Sequence, residues 1–66
     1  MSSEISIVVP FYNEEEAART VLEEIVATNP GAQILAVDDG SSDKTWQIIS
    51  TVPGVTALQF ARNRGQ

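Results

Sequence analysis

The feature that most constrains the fold is an alternation along the chain between short β-branched runs and segments of helical periodicity. Ile5-Ser6-Ile7-Val8-Val9 is the first such run, and it predicts a buried strand ending at Pro10, because proline has no N–H for a sheet ladder. Ala18, Val21, Leu22, Ile25 and Val26 then recur at helical spacing, leaving Arg19, Glu23 and Glu24 for water. This helix runs to about Thr28 and is stopped by Asn29-Pro30-Gly31. Asn13 followed by Glu16 has the spacing of a capping box at its start, with Glu14, Glu15 and Glu16 placed to complement the positive end of the helix dipole.

Gln33 to Val37 reads as a second strand that meets the turn cluster Asp38-Asp39-Gly40-Ser41-Ser42. Ser42 or Asp43 is placed to cap a short second helix, which carries Trp46 and Ile49 inward and ends before Pro53-Gly54. Val55 to Phe60 reads as a third strand, followed by the polar stretch Ala61-Arg62-Asn63-Arg64-Gly65-Gln66. The order β-α-β-α-β predicts an α/β fold of three parallel strands joined by two right-handed crossover helices. Strand order 3-2-1 would put both helices on one face and leave the other face bare, whereas 2-1-3 would put one helix on each. Parallel strands are normally covered on both faces, so the first order implies further chain or a partner molecule, with self-association through the bare face as one outcome.

At 66 residues the chain forms one small domain, in which only about 60% of the unfolded surface is removed from water. It has no cysteine for disulfides or thiolate metal sites and no histidine for zinc or for a neutral-pH base. Four basic residues against nine acidic ones, a net charge of -5, exclude a phosphate-neutralising nucleic-acid surface. No apolar run approaches the roughly 20 residues that span a bilayer, and Met1-Ser2-Ser3-Glu4 lacks a basic signal-peptide start. A cytoplasmic segment with no membrane span of its own is the expectation.

Ligands of open parallel sheets sit beyond the carboxyl ends of the strands. Those ends carry Pro10-Phe11-Tyr12-Asn13-Glu14, Asp38-Asp39-Gly40-Ser41 and Arg62-Asn63-Arg64-Gly65, so three polar clusters are expected on one rim. The first loop has no glycine to let backbone N–H groups approach a pyrophosphate. Its carboxylates suit ribose hydroxyls and base N–H groups instead, Tyr12 offers an aromatic face, and Arg62 and Arg64 are the local positive charges for a diphosphate. Each feature also has a plainer reading: a helix cap at Asn13, an ordinary turn at Asp38 to Ser42, core packing for Trp46, and solvated surface for Lys44, Arg62 and Arg64.

The run Val8-Val9-Pro10-Phe11-Tyr12-Asn13-Glu14, then Val37-Asp38-Asp39-Gly40-Ser41-Ser42-Asp43-Lys44-Thr45, then Arg62-Asn63-Arg64-Gly65 resembles, in order and spacing, the opening of family-2 glycosyltransferases. Within that group it is most similar to the dolichyl- and polyprenyl-phosphate sugar transferases. The resemblance covers nearly the whole chain, and the Asp-Asp-Gly-Ser-x-Asp-x-Thr turn is its most diagnostic part. It implies a GT-A, Rossmann-like sheet that binds a UDP- or GDP-sugar, with residues 1–66 a partial nucleotide-sugar-binding domain and the catalytic remainder absent. By matching position, Pro10, Tyr12 and Glu14 would border base and ribose, Asp39 would accept from a base N–H, and Asp38 would support the turn. Asn63 and Gly65 would lie near the base or diphosphate.

The family's metal-binding Asp-x-Asp and its catalytic base lie further along the chain. No catalytic residue or metal ligand is therefore assigned here, and the Mg or Mn ion implied for the full-length parent takes its ligands elsewhere. The expected activity is the parent's transfer of a sugar to an acceptor such as a polyprenyl phosphate at the cytoplasmic face of a membrane, with this segment alone inactive. An inert or partner-dependent fragment is the main alternative. A receiver-like signalling domain is a further one, suggested by Ile34-Leu35-Ala36-Val37-Asp38-Asp39, but the third strand then ends in Phe60-Ala61-Arg62 without the carboxylate and lysine a receiver needs.

Overall fold

The computed structural model describes residues 5–61. Three parallel strands, β1 (Ser6–Phe11), β2 (Gln33–Asp38) and β3 (Val55–Gln59), form one sheet in the order β1-β2-β3. Between them run α1 (Ala18–Thr28) and α2 (Thr45–Ile49). The β-α-β-α-β order and parallel sheet are those expected, and the strand order is the one that gathers both helices on a single face.

Burial follows the strand period of two. Val9, Phe11, Ile34, Ala36, Val55 and Ala57 face the helices and pack with Ala18, Leu22, Ile49 and Val52 into one core. Val21, expected on the buried stripe of α1, lies at its margin and is exposed. Trp46 is half-buried against the core, as the packing reading required. On the opposite face Val8 and Leu58 remain 59% and 43% exposed, with Leu35 and Val37 half-buried between them. Among the described residues nothing covers this second face.

β1 does not end at Pro10. The strand continues to Phe11, and Pro10 pairs with Val37. The reason lies in the hydrogen-bond parity of the strand. Gln33 N–H donates to the Ile5 carbonyl at 2.9 Å and Asp39 N–H to the Phe11 carbonyl at 3.0 Å, so the odd-numbered residues of β1 direct their peptide groups at β2. Pro10 falls on the other side, facing the open edge, where its missing N–H interrupts no ladder.

Candidate functional site

The three strands end level. Phe11 pairs with Asp38 and Asp38 with Gln59, so the loops after β1 and β2 leave the sheet side by side, with the start of the third connection beside them. Asp39 N–H to Phe11 O and Phe60 N–H to Asp38 O, at 3.0 and 2.9 Å, carry the ladder one step beyond the strands.

The two adjacent aspartates part at this point. Asp38 is fully buried, and its carboxylate accepts from Ser41 N–H at 3.3 Å to each oxygen and from Gln59 Nε2 at 3.2 Å. It closes the turn that Gly40 makes possible with a φ of 77°. Asp39 is exposed on the rim with Tyr12 and Glu14. Pro10 is exposed one register step below the rim. Four of the expected site positions, Tyr12, Glu14, Asp38 and Asp39, thus cluster at one end of the sheet. Asn63 and Gly65, with Arg62 and Arg64, lie outside the described residues.

The expected capping box is not formed. Asn13 has a φ of 53°, the left-handed region, whereas an N-cap needs extended geometry. α1 begins only at Ala18, with no side-chain cap, after a turn in which Ala17 and Ala18 N–H both donate to the Glu14 carbonyl at 3.1 and 2.9 Å. The Asn13 side chain crosses to the neighbouring loop: its Oδ1 accepts from Ser42 N–H at 2.9 Å, while Asn13 N–H donates to Ser41 Oγ at 2.8 Å. Two further residues follow it across. Glu14 N–H donates to Thr45 Oγ1 at 2.8 Å, Glu15 N–H to Asp43 Oδ2 at 3.2 Å, and Lys44 N–H to Glu15 Oε1 at 2.9 Å.

Asp43 is the centre of this seam; neither it nor Ser42 is the N-cap of α2, which starts after Lys44 without a side-chain cap. Asp43 Oδ1 accepts from Thr45 N–H at 2.9 Å and also from the Thr45 hydroxyl. Burial pushes its carboxyl up, but the donors from Thr45, then Glu15 and its own backbone, outweigh this and hold it below the ordinary aspartate range. Sequence reasoning missed this seam and the Gln59 contact. The paired spacings Asn13-Glu14-Glu15 and Ser41 to Thr45 were its only signal.

The carboxylates of Asp38 and Asp43 are thus engaged within the fold. Among the described residues no three acidic or other metal-ligating side chains converge in a way that fits a divalent ion.

The parallel β-α-β-α-β sheet with its strands ending level defines a Rossmann-like α/β unit. Comparison with known proteins narrows that class. The model of glycosyl transferase family 2 matches residues 6–66, and the chain belongs to that family. It is 35% identical over 71 residues to an undecaprenyl-phosphate 4-deoxy-4-formamido-L-arabinose transferase of Photorhabdus laumondii, covering 94% of this chain and 22% of that protein. To the prophage bactoprenol glucosyl transferase homolog of Escherichia coli it is 40% identical over 70 residues, covering 94% and 23%. The transferase of the first name from Serratia proteamaculans is 39% identical over 72 residues, again covering 94% and 22%. The chain thus spans about a fifth of the length of these curated relatives. No solved structure matches it significantly. Family membership sets aside the receiver-like reading. Among the described residues no helix is long and apolar enough to cross a membrane.

Proposed function

We propose that residues 5–61 form the nucleoside-holding part of a glycosyltransferase that moves a sugar from a UDP- or GDP-sugar to a polyprenyl phosphate at the cytoplasmic face of a membrane. The observation that carries this is the joining of the Tyr12-to-Glu14 and Asp38-to-Ser42 loops into one rim, with Asp39 exposed on it and Asp38 buried beneath. A carboxylate acceptor beside an aromatic ring suits the N–H edge of a base and the hydroxyls of a ribose, and it disfavours a bare phosphate. Pro10, Tyr12, Glu14 and Asp39 would border the base and ribose, Asp38 would hold the turn, and Asn63 and Gly65 would lie near the base or diphosphate. The undecaprenyl-phosphate and bactoprenol transferases among the relatives support the lipid-phosphate acceptor.

Sugar transfer also needs stabilisation of the departing diphosphate and a base for the acceptor, which on this reading come from other segments of a longer protein. The chain by itself is therefore expected to bind and not to transfer, with the Mg or Mn of a full-length parent held by other segments. The uncovered sheet face would favour self-association of this chain when it is separated from a longer protein.

Titration with UDP and with GDP, each with and without manganese, tests the reading. Saturable binding that Asp39→Ala weakens about tenfold, as loss of one charged hydrogen bond would, is expected. Binding that is undetectable, or indifferent to Asp39, favours an inert fragment.

A further inference from the structure

Three consecutive residues after β1 are hydrogen-bonded to the loop after β2, and the bonds run in both directions. Asn13 donates to Ser41 and accepts from Ser42, Glu14 donates to Thr45, and Glu15 donates to Asp43 and accepts from Lys44. The Thr45 hydroxyl sits at the middle, fully buried, accepting from Glu14 N–H and donating to Asp43. Asp43 in turn takes donors from both loops, Glu15 N–H on one oxygen and Thr45 on the other. These side chains are consumed in joining the loops, so they are not available to grip a ligand directly.

We propose that Asp43 and Thr45 are positioning residues: they clasp the loop after β1 to the loop after β2 and so set the separation of Tyr12 and Glu14 from Asp39. The role in recognition rests on the nucleotide reading given above, while the clasp itself does not. A clasp makes a particular demand on the molecule. Removing the Thr45 hydroxyl must loosen amides that Thr45 never touches, because the loops move as one unit. It must leave Ser41 N–H protected, because that group is held by Asp38 beneath the turn.

The test is amide hydrogen exchange on the chain with Thr45→Val and Thr45→Ser, read together with UDP and GDP affinity by titration. Protected amides of β2, such as Ala36, report whether each variant is folded, and Asp43→Asn replaces Thr45→Val if the latter is not. In Thr45→Val the amides of Asn13, Glu14, Glu15, Ser42 and Lys44 exchange at least roughly tenfold faster, as loss of a charge-linked hydrogen bond implies, and the nucleotide dissociation constant rises by a similar factor. Thr45→Ser restores both. Acceleration confined to Glu14 overturns the clasp, because the loops would then be independent. Acceleration across both loops with unchanged affinity overturns the positioning role. An unmodified chain that binds neither nucleotide sinks the nucleotide reading and the positioning role with it, whereas the exchange pattern alone decides the clasp.

Discussion

Replacing Leu22 with alanine removes the largest side chain that α1 buries completely in the core, where it is 0% exposed. A buried leucine truncated in this way costs about 2–5 kcal/mol, through lost transfer energy and the cavity that remains. A typical domain of this size has about 3–10 kcal/mol to lose, and a parallel sheet covered on one face belongs towards the lower end. With a urea dependence of about 1 kcal/mol per molar, the Leu22→Ala midpoint should fall by about 2 M or more, which for the lower stabilities leaves no folded baseline at all. The companion variant is Leu58→Thr on the open face, where the side chain is already 43% exposed and threonine, being β-branched, suits a strand. Its cost should stay below about 1 kcal/mol. Both midpoints are read from the fluorescence of Trp46, the single tryptophan, which packs against the core. Equal losses at Leu22 and Leu58 in dilute solution would refute the one-faced core, since Leu58 would then be as buried as Leu22.

Two other outcomes follow from the loops. Asn13→Gly keeps the left-handed backbone but loses the acceptor for Ser42 N–H, whereas Asn13→Ala loses both, so alanine should be the less stable by about 1 kcal/mol in thermal melts. The Asp43 carboxyl is held below its ordinary range, so the stability it adds is fully present above the unfolded aspartate value of about 3.9 and is lost as pH falls through its lower folded value. Around it stand Glu15, whose side chain bonds Lys44 N–H, and the neighbouring Glu14 and Lys44. The stability difference between the unmodified chain and Asp43→Asn should therefore be flat from pH 5 to pH 7 and shrink in more acidic solution; a difference that grows on acidification would contradict the assignment.

Much of the scaffold was legible because its signals are local. Asn29-Pro30-Gly31 closes α1 where expected, and β2 and β3 each end within one residue of the expected position. The strand order was left between two possibilities, since right-handed crossovers are compatible with both. What escaped the sequence depended on partners far along the chain. Pro10 reads as a stop until it is known which parity of β1 faces β2. Asn13 and Glu16 satisfy the spacing of a capping box, and only the contacts to Ser41 and Ser42, 28 and 29 residues away, show that Asn13 serves the neighbouring loop. Gln59 bonds Asp38 through the register of β3, which no local pattern encodes. Of the site, the gathering of Tyr12, Glu14, Asp38 and Asp39 at one rim was readable from strand ends, while the separate roles of Asp38 and Asp39 were implied by the family resemblance.

The clasp has a consequence for the order in which the molecule assembles. Its bonds join residues 28 to 31 apart, so they cannot form until the segment from β1 to β2 has closed and the entropy of that closure has been met. The Asp38–Ser41 turn and the Asp43–Thr45 contacts are local, but the two loops meet only in the closed unit. Recognition and folding are thereby linked: whatever ligand the rim accepts must favour the closed unit over the open chain, and its presence would raise the unfolding midpoint in proportion to the logarithm of its concentration.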